Sequence, residues 1–299
     1  MEKVSILHLI TASKNASPFD VNMAYDAGFD KVVSYTNVAL DEVIGLTQDA
    51  IFSRSPSGVK REGIFIGVRD IDLAIHMLSL SKGAMFSPFS CSVFADPSGA
   101  FTTAAAMVAK VEFNLYKYFG LDLSGKTLSV FGASGPVGSC AAIIAALQGA
   151  TVQLVAHRAI AELEQKALAW NTQFQINLQV VDGSSEPAKK KVLQSTEIAL
   201  CAAPTGVQVL SINHLSAAKQ LKIVADVNAV LPLGAAGILV SADGIKIEAS
   251  AAYGIGAMAI GSLKYTIQQH LLQQMLSADK PQIFEFIAAF KLASALLNH

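Results

Sequence analysis

Along this chain short apolar runs alternate with stretches in which apolar residues recur at three- and four-residue spacing, and the alternation predicts strands and helices in turn. The first part of the pattern gives strands at Val4–Leu9, Lys31–Tyr35, Ile64–Gly67 and Ser90–Ala95. Helices fall between them near Pro18–Ala27, Asp41–Asp49 and Asp70–Ser81, the last carrying Ile71, Ala74, Ile75 and Leu78 on one face. The turn Asp96-Pro97-Ser98-Gly99 interrupts the pattern, a long helix from about Thr102 to Phe119 follows, and the break Leu121–Lys126 introduces a second lobe. There the alternation is more regular, with strands at Thr127–Phe131, Thr151–Ala156, Leu178–Val181, Ile198–Ala202 and Lys222–Asp226 and helices at Pro136–Gln148, Ala159–Asn171 and roughly Pro187–Gln194. Two helical stretches, Ala257–Leu276 and Pro281–Leu297, close the pattern, the second placed to return to the first lobe. The expected fold class is therefore α/β: two α/β lobes around a cleft, one of them a Rossmann-like doubly wound parallel sheet with ligands beyond the carboxyl ends of its strands. Residues 1–120 make the first lobe, with 277–299 packing back on it, and residues 121–276 make the second.

Composition narrows the partners. Of 299 residues, 22 are Lys or Arg and 23 are Asp or Glu, so a net charge of -1 offers no field to attract nucleic acid or anionic lipid. Mean hydropathy is high at +0.45, yet runs such as Ala141–Leu147 fall far short of the ~20 residues that span a bilayer. The segment Val4–Ile10 carries a histidine and no cleavage-like tail, and reads as a strand, not a signal peptide. The surplus apolarity is expected in sheets covered on both faces and in contacts of a homo-oligomer. Cys91, Cys140 and Cys201 are odd in number and far apart, which fits reduced core thiols and a cytoplasmic protein.

The candidate chemistry starts at Leu128-Ser129-Val130-Phe131-Gly132-Ala133-Ser134-Gly135-Pro136-Val137-Gly138, where an apolar strand runs directly into a helix. Gly135 would admit a phosphate close to the backbone, Gly138 would let the helix pack on the strand, and free N–H groups at the helix start would face a dinucleotide's pyrophosphate. Pro136 suits the first helical turn, where its missing N–H costs nothing. A strict G-x-G-x-x-G would put glycine at Ala133, so the fingerprint departs at its first position. An NAD site carries an acid about 20 residues on. This chain instead has His157-Arg158, which favours a 2′-phosphate and hence NADP, with NAD as the alternative.

Several strings, in order along nearly the whole chain, resemble the bacterial NAD(P)-dependent methylene-tetrahydromethanopterin dehydrogenases. They are Ser17-Pro18-Phe19-Asp20-Val21 with Ala24-Tyr25-Asp26-Ala27-Gly28, Gly99–Ala106, Ser134–Gly138, Val224–Ala229 with Pro232-Leu233-Gly234, and Ala257–Lys264. The resemblance implies an amino-terminal pterin lobe, a central NADP lobe, and oxidation of a methylene-tetrahydropterin to its methenyl form in one-carbon metabolism. Some members also accept methylene-tetrahydrofolate. Its implied cofactor contacts are Ser134, Gly135, Pro136, Val137, Gly138, His157, Arg158, Ala203 and Asn228, and its implied substrate contacts are Asp20, Thr102, Thr103 and Lys264, with Asp20 and Lys264 nearest the chemistry.

The reaction asks little of acid–base groups or metals, because the two nitrogens flanking the methylene carbon delocalise the charge that develops as hydride leaves. Matching this, the sequence shows no metal-spaced His/Cys cluster and no nucleophile elbow. Asp20 has two readings: acceptor for the pterin's N–H groups, or the third residue of a capping box begun by Ser17. Thr102 and Thr103 stand at a helix start and either cap it or face the cleft. Lys264 sits among small residues, where a charge needs a partner. Two rivals share the pattern: a shikimate-dehydrogenase-like NADP oxidoreductase, whose serine pair and lysine are not found here, and a non-catalytic NADP-binding sensor.

Overall fold

The most apolar runs are buried on both faces, as the inner strands of a parallel sheet must be when helices cover both sides. In the computed structural model, which describes residues 4–248 and 250–298, β1 (Ile6–Ile10), β2 (Lys31–Tyr35), β3 (Glu62–Ile66) and β4 (Ser92–Ala95) alternate with α1 (Pro18–Asp26), α2 (Val43–Phe52) and α3 (Ile71–Gly83). α4 (Ala100–Phe119) follows. Next come β5 (Thr127–Phe131), α5 (Pro136–Leu147), β6 (Thr151–Ala156), α6 (Ile160–Phe174), β7 (Leu178–Asp182), α7 (Glu186–Leu193), β8 (Ile198–Cys201), α8 (Ile212–Ala217) and β9 (Ile223–Asp226). The remainder holds β10 (Asp243–Lys246), β11 (Tyr253–Ile255), α9 (Ala257–Ser277), β12 (Ile283–Phe284) and α10 (Phe286–Leu297).

Two sheets result. The first has the order β12-β4-β3-β1-β2, and all its neighbours are parallel. The second has the order β10-β11-β9-β8-β5-β6-β7, parallel except for β10 against β11. Strand order reverses between β8 and β5, so the crevice beyond their carboxyl ends is where a doubly wound sheet takes a ligand. Every residue of β3, β4, β8 and β9 is buried, and α5 is buried continuously from Gly138 to Ala145. Among the described residues no helix is long and apolar enough to cross a membrane.

The chain divides into two compact units. One comprises residues up to Thr102 together with Tyr265–Ala289, the other Thr103–Lys264 and the stretch from Phe290 onward. Where the sequence pattern put boundaries at 120 and 276, these divisions fall inside α4, α9 and α10. Positions 1–3, 249 and 299, which the sequence divisions take in, lie outside the described residues.

Two other readings need correction. The stretch from Pro281 is not helical at once: Ile283–Phe284 lies parallel to β4, and Glu285 accepts the N–H groups of Ile287 (2.9 Å) and Ala288 (3.3 Å), so α10 starts only at Phe286. Edge-to-face pairs Phe94–Phe284 (6.2 Å) and Phe101–Phe286 (5.2 Å) anchor this return. The first strand begins at Ile6, not Val4, and extends to Ile10.

Candidate functional site

The turn between β5 and α5 is built by its glycines. Gly132 has φ +87°, and a Cβ there would lie 2.4 Å from the carbonyl carbon and oxygen of Ala202, inside the backbone that follows β8. Any side chain would force two strand ends apart. This explains the departure from the strict fingerprint: the residue that must be glycine stands one place earlier, and Ala133, 1% exposed, keeps its methyl packed. Gly138 is equally constrained, because its Cβ would meet the Gly132 oxygen at 2.4 Å. Gly135 differs. Nothing of the protein approaches its missing Cβ closer than 3.4 Å, so its lack of a side chain leaves space where a phosphate can come close to the backbone. Gly135 caps α5 and Pro136 opens it, leaving the N–H groups of Val137 and Gly138 in the first turn, where no intrahelical acceptor exists.

Beyond this turn lies a cavity of about 550 Å³ lined by Gly132, Ala133 and Ser134, by Val155–Ala159 at the end of β6 and just past it, and by Ala203 and Pro204 after β8. Of the residues expected to touch the cofactor, Ser134, His157, Arg158 and Ala203 line it. His157 and Arg158 are exposed, held at the end of β6 by Ala159 in a left-handed conformation (φ 52°) that turns the chain into α6. Asn228 does not line the cavity. Its side-chain amide donates to the Pro204 carbonyl at 3.3 Å, bracing a residue that does.

Asn228 is itself fixed from below. The buried Asp226 carboxylate accepts the N–H groups of Asn228 (2.9 Å) and Ala235 (2.9 Å) on its two oxygens, which folds the loop after β9 back on itself. Burial pushes this carboxyl up from its ordinary value of 3.8, opposed by the N–H bonds from Asn228, Ala235 and Gly234. Two exposed apolar residues, Val230 (54%) and Leu231 (79%), sit on the same loop.

The sequence pattern missed three charged residues of the cavity. Glu162 and Lys166 come from α6 and Lys189 from α7, so three certain cations and His157 share the wall with one carboxylate. The signal that could have found two of them was spacing: 162 and 166 lie four residues apart on one face of α6, which starts two residues beyond Arg158.

In the first unit, Asp20 is 4% exposed in the first turn of α1. Ser17 caps the helix through the Asp20 N–H (3.4 Å), and Asp20 Oδ1 accepts the side-chain amide of Gln268, a wholly buried residue of α9, at 3.3 Å. A Cβ on Gly67 would stand 3.3 Å from Asp20 Oδ2, so β3's exit is bare where it passes this carboxylate. Gln268 was not singled out in the sequence because a lone glutamine on an amphipathic helix carries no signal. Thr102 is fully buried, and its hydroxyl donates to Asp96 Oδ2 at 2.6 Å while Asp96 Oδ1 takes the N–H of Phe101 and Thr102. Capping accounts for this side chain and leaves it no solvent-facing surface. Thr103 and Lys264, which belong to the second unit, are half-buried. His8, between Glu62 Oε2 (2.7 Å) and the Tyr35 hydroxyl (3.1 Å), ties β1 to β2 and β3, and Arg54 completes the cluster on Glu62 at 2.5 Å.

Known proteins carry the same organisation. The chain is 44% identical over 289 residues, 97% of both chains, to the NAD(P)-dependent methylenetetrahydromethanopterin dehydrogenase of Methylorubrum extorquens. It is 29% identical over 94% of both chains to the bifunctional protein MdtA of the same organism. Among solved structures, shikimate 5-dehydrogenase from Listeria monocytogenes, in complex with shikimate and NAD, matches with a TM-score of 0.55 at 15% identity over 98% of this chain and 96% of that one, a likeness of fold. Residues 18–98 match the family described as methylene-tetrahydromethanopterin dehydrogenase, N-terminal. A shared length, a glycine turn with its steric logic intact and identity at this level across both units together show that the chain belongs to the methylene-tetrahydromethanopterin dehydrogenase family.

Proposed function

We propose that the protein oxidises methylene-tetrahydromethanopterin to the methenyl form in one-carbon metabolism, with NADP as the favoured hydride acceptor and NAD as the second. The observation that carries this is the 44% identity to a dehydrogenase of that name, running through both units. When bound, the nicotinamide supplies the hydride-accepting carbon. The protein's residues bind, orient and exclude water: the bare backbone at Gly135 and the first turn of α5 hold the pyrophosphate, and Arg158 with His157 takes the 2′-phosphate. Asn228 keeps the Pro204 wall in place. The fit rests on the open space at Gly135 and on the cationic wall of the cavity.

The first unit is proposed to hold the pterin, with Asp20 as acceptor for its N–H groups and Gln268 fixing the carboxylate's orientation. Thr103 and Lys264 are kept as proposed pterin contacts, and Thr102 is not. The three cysteines are buried free thiols, which supports a cytoplasmic setting. Exposed apolar side chains, such as Phe52 and Phe86, support a homo-oligomer.

The test is a spectrophotometric matrix of methylene-tetrahydromethanopterin and methylene-tetrahydrofolate against NADP and NAD, following reduced nicotinamide. Reduction of NADP with the methanopterin substrate is expected. Folded protein that binds NADP and turns over neither pterin would leave it a sensor and not an enzyme.

A further inference from the structure

The end of β6 carries no acid, and on that ground a preference for NADP was expected. The cavity nevertheless contains a carboxylate. Glu162, exposed on the first turn of α6, lines it together with Arg158, four residues before, and Lys166, four residues after. At helical spacing, 162 and 166 rise from one face toward the wall that begins at Arg158. We propose that Glu162 sets the balance between the two nicotinamide cofactors: its carboxylate accepts the ribose 2′-hydroxyl of NAD and opposes the 2′-phosphate of NADP that Arg158 attracts. The inference rests on the reading of this cavity as the nucleotide site.

The physical reasoning is one of charge sign. A ribose hydroxyl can donate to a carboxylate, and a phosphate cannot, so the same group stabilises one ligand and repels the other. Across an exposed wall, where solvent screens strongly, removing one like charge changes binding by several-fold and not by orders of magnitude. Lys166 and Lys189 partly neutralise the repulsion, Lys189 while also standing 3.6 Å from Glu186 on its own helix. They allow an acid to remain in a wall that still accepts a phosphate. Glu162 also lies where a negative charge favours a helix start. That contribution would alter stability slightly but could not move two nucleotides in opposite directions.

The experiment is calorimetric titration of wild type and Glu162→Gln with 2′,5′-ADP and with 5′-AMP, fragments that differ only in the 2′-phosphate and need no turnover. The substitution should tighten 2′,5′-ADP and weaken 5′-AMP by about threefold to tenfold each, so that their ratio changes by about ninefold to a hundredfold. The kcat/KM ratio for NADP and NAD should move the same way. If wild-type protein binds neither fragment, the nucleotide-site reading falls and the proposal falls with it. If wild type binds both, but the substitution shifts them in parallel or leaves both unchanged, the assignment of Glu162 alone is overturned.

Discussion

Two glycines of one turn should fail in different ways when given a methyl group. At Gly132 the new Cβ would overlap the Ala202 carbonyl at 2.4 Å, and the backbone at φ +87° is one that an L-residue adopts only with strain. Left-handed strain of about 1 to 2 kcal/mol and overpacking of about 1 to 3 kcal/mol place Gly132→Ala near 3 kcal/mol destabilised. For a unit of this size that lowers the melting temperature by about 10 °C. At Gly135 the methyl would meet nothing nearer than the Gly132 oxygen at 3.4 Å, with an extended backbone at φ −82°, so Gly135→Ala should melt within about 2 °C of wild type. Its methyl would instead occupy the space reserved for the pyrophosphate and weaken NADP at least about tenfold. Thermal melts paired with NADP titration read both quantities. If Gly135→Ala melts as early as Gly132→Ala and binds NADP normally, the turn is a structural corner and the phosphate reading is wrong.

Arg158→Ala should weaken NADP by about 10- to 100-fold through loss of a charge-assisted bond while leaving NAD nearly untouched; a kcat/KM ratio within twofold of wild type would refute its role. Asp20→Asn should lower kcat/KM with little change in melting temperature, and Gln268→Leu should lower it by the same route, because Gln268 holds the carboxylate; unchanged kinetics in both would return Asp20 to helix capping. Burial pushes the Glu197 carboxyl up, but its bonds to Lys222 (2.9 Å) and the Thr127 N–H (3.1 Å) outweigh this and hold it below its ordinary value of 4.5. Its stabilisation is therefore present above pH 4.5 and lost as pH falls through the lowered value, so the melting difference between wild type and Glu197→Gln should shrink progressively on acidification below pH 4.5, as a calorimetric pH series can check. Burial raises the Cys91 thiol to about 12 and Cys201 well above its usual range, so a thiol-reactive chromophore should label neither in the folded protein and both after denaturation.

Much of the second unit was legible because its signals are local. The strands Thr127–Phe131 and Thr151–Ala156 were read to the residue, since an apolar run bounded by turn residues leaves little freedom of register. The glycine turn was legible for the same reason, although the position that geometry makes indispensable, Gly132, is visible only once Ala202 is seen behind it. The short elements escaped. β10 (DGIK) and β11 (YGI) contain glycine and too few residues to show a period of two, and β12 has only two residues, created by pairing with β4 and not by its own pattern. The site residues that were missed share a cause. Gln268 and Asp20 lie 248 positions apart, and no local pattern relates them. Asp96 was read as part of a turn, whereas its carboxylate takes the donors that Thr102 and Phe101 present, a pairing that turn residues alone do not announce.

The pairing of β12 with β4 bears on how the chain is made. During synthesis β1 to β4 emerge early, yet β4 keeps a bare edge until residues 282–284 arrive, when Val93 donates its N–H to the Gln282 carbonyl at 2.8 Å. Throughout that interval the ribosome-bound chain presents an unpaired strand of buried apolar character, the kind of surface on which neighbouring chains join. Residues 103–264, by contrast, arrive as one uninterrupted stretch and can collapse before the first unit is whole. The order in which the sheets are completed therefore runs against the order in which they are begun: the second sheet has all its strands by Ile255, the first only with Ile283–Phe284, and a chain halted short of Gln282 should display a formed second sheet and a first sheet still open to aggregation or to a chaperone.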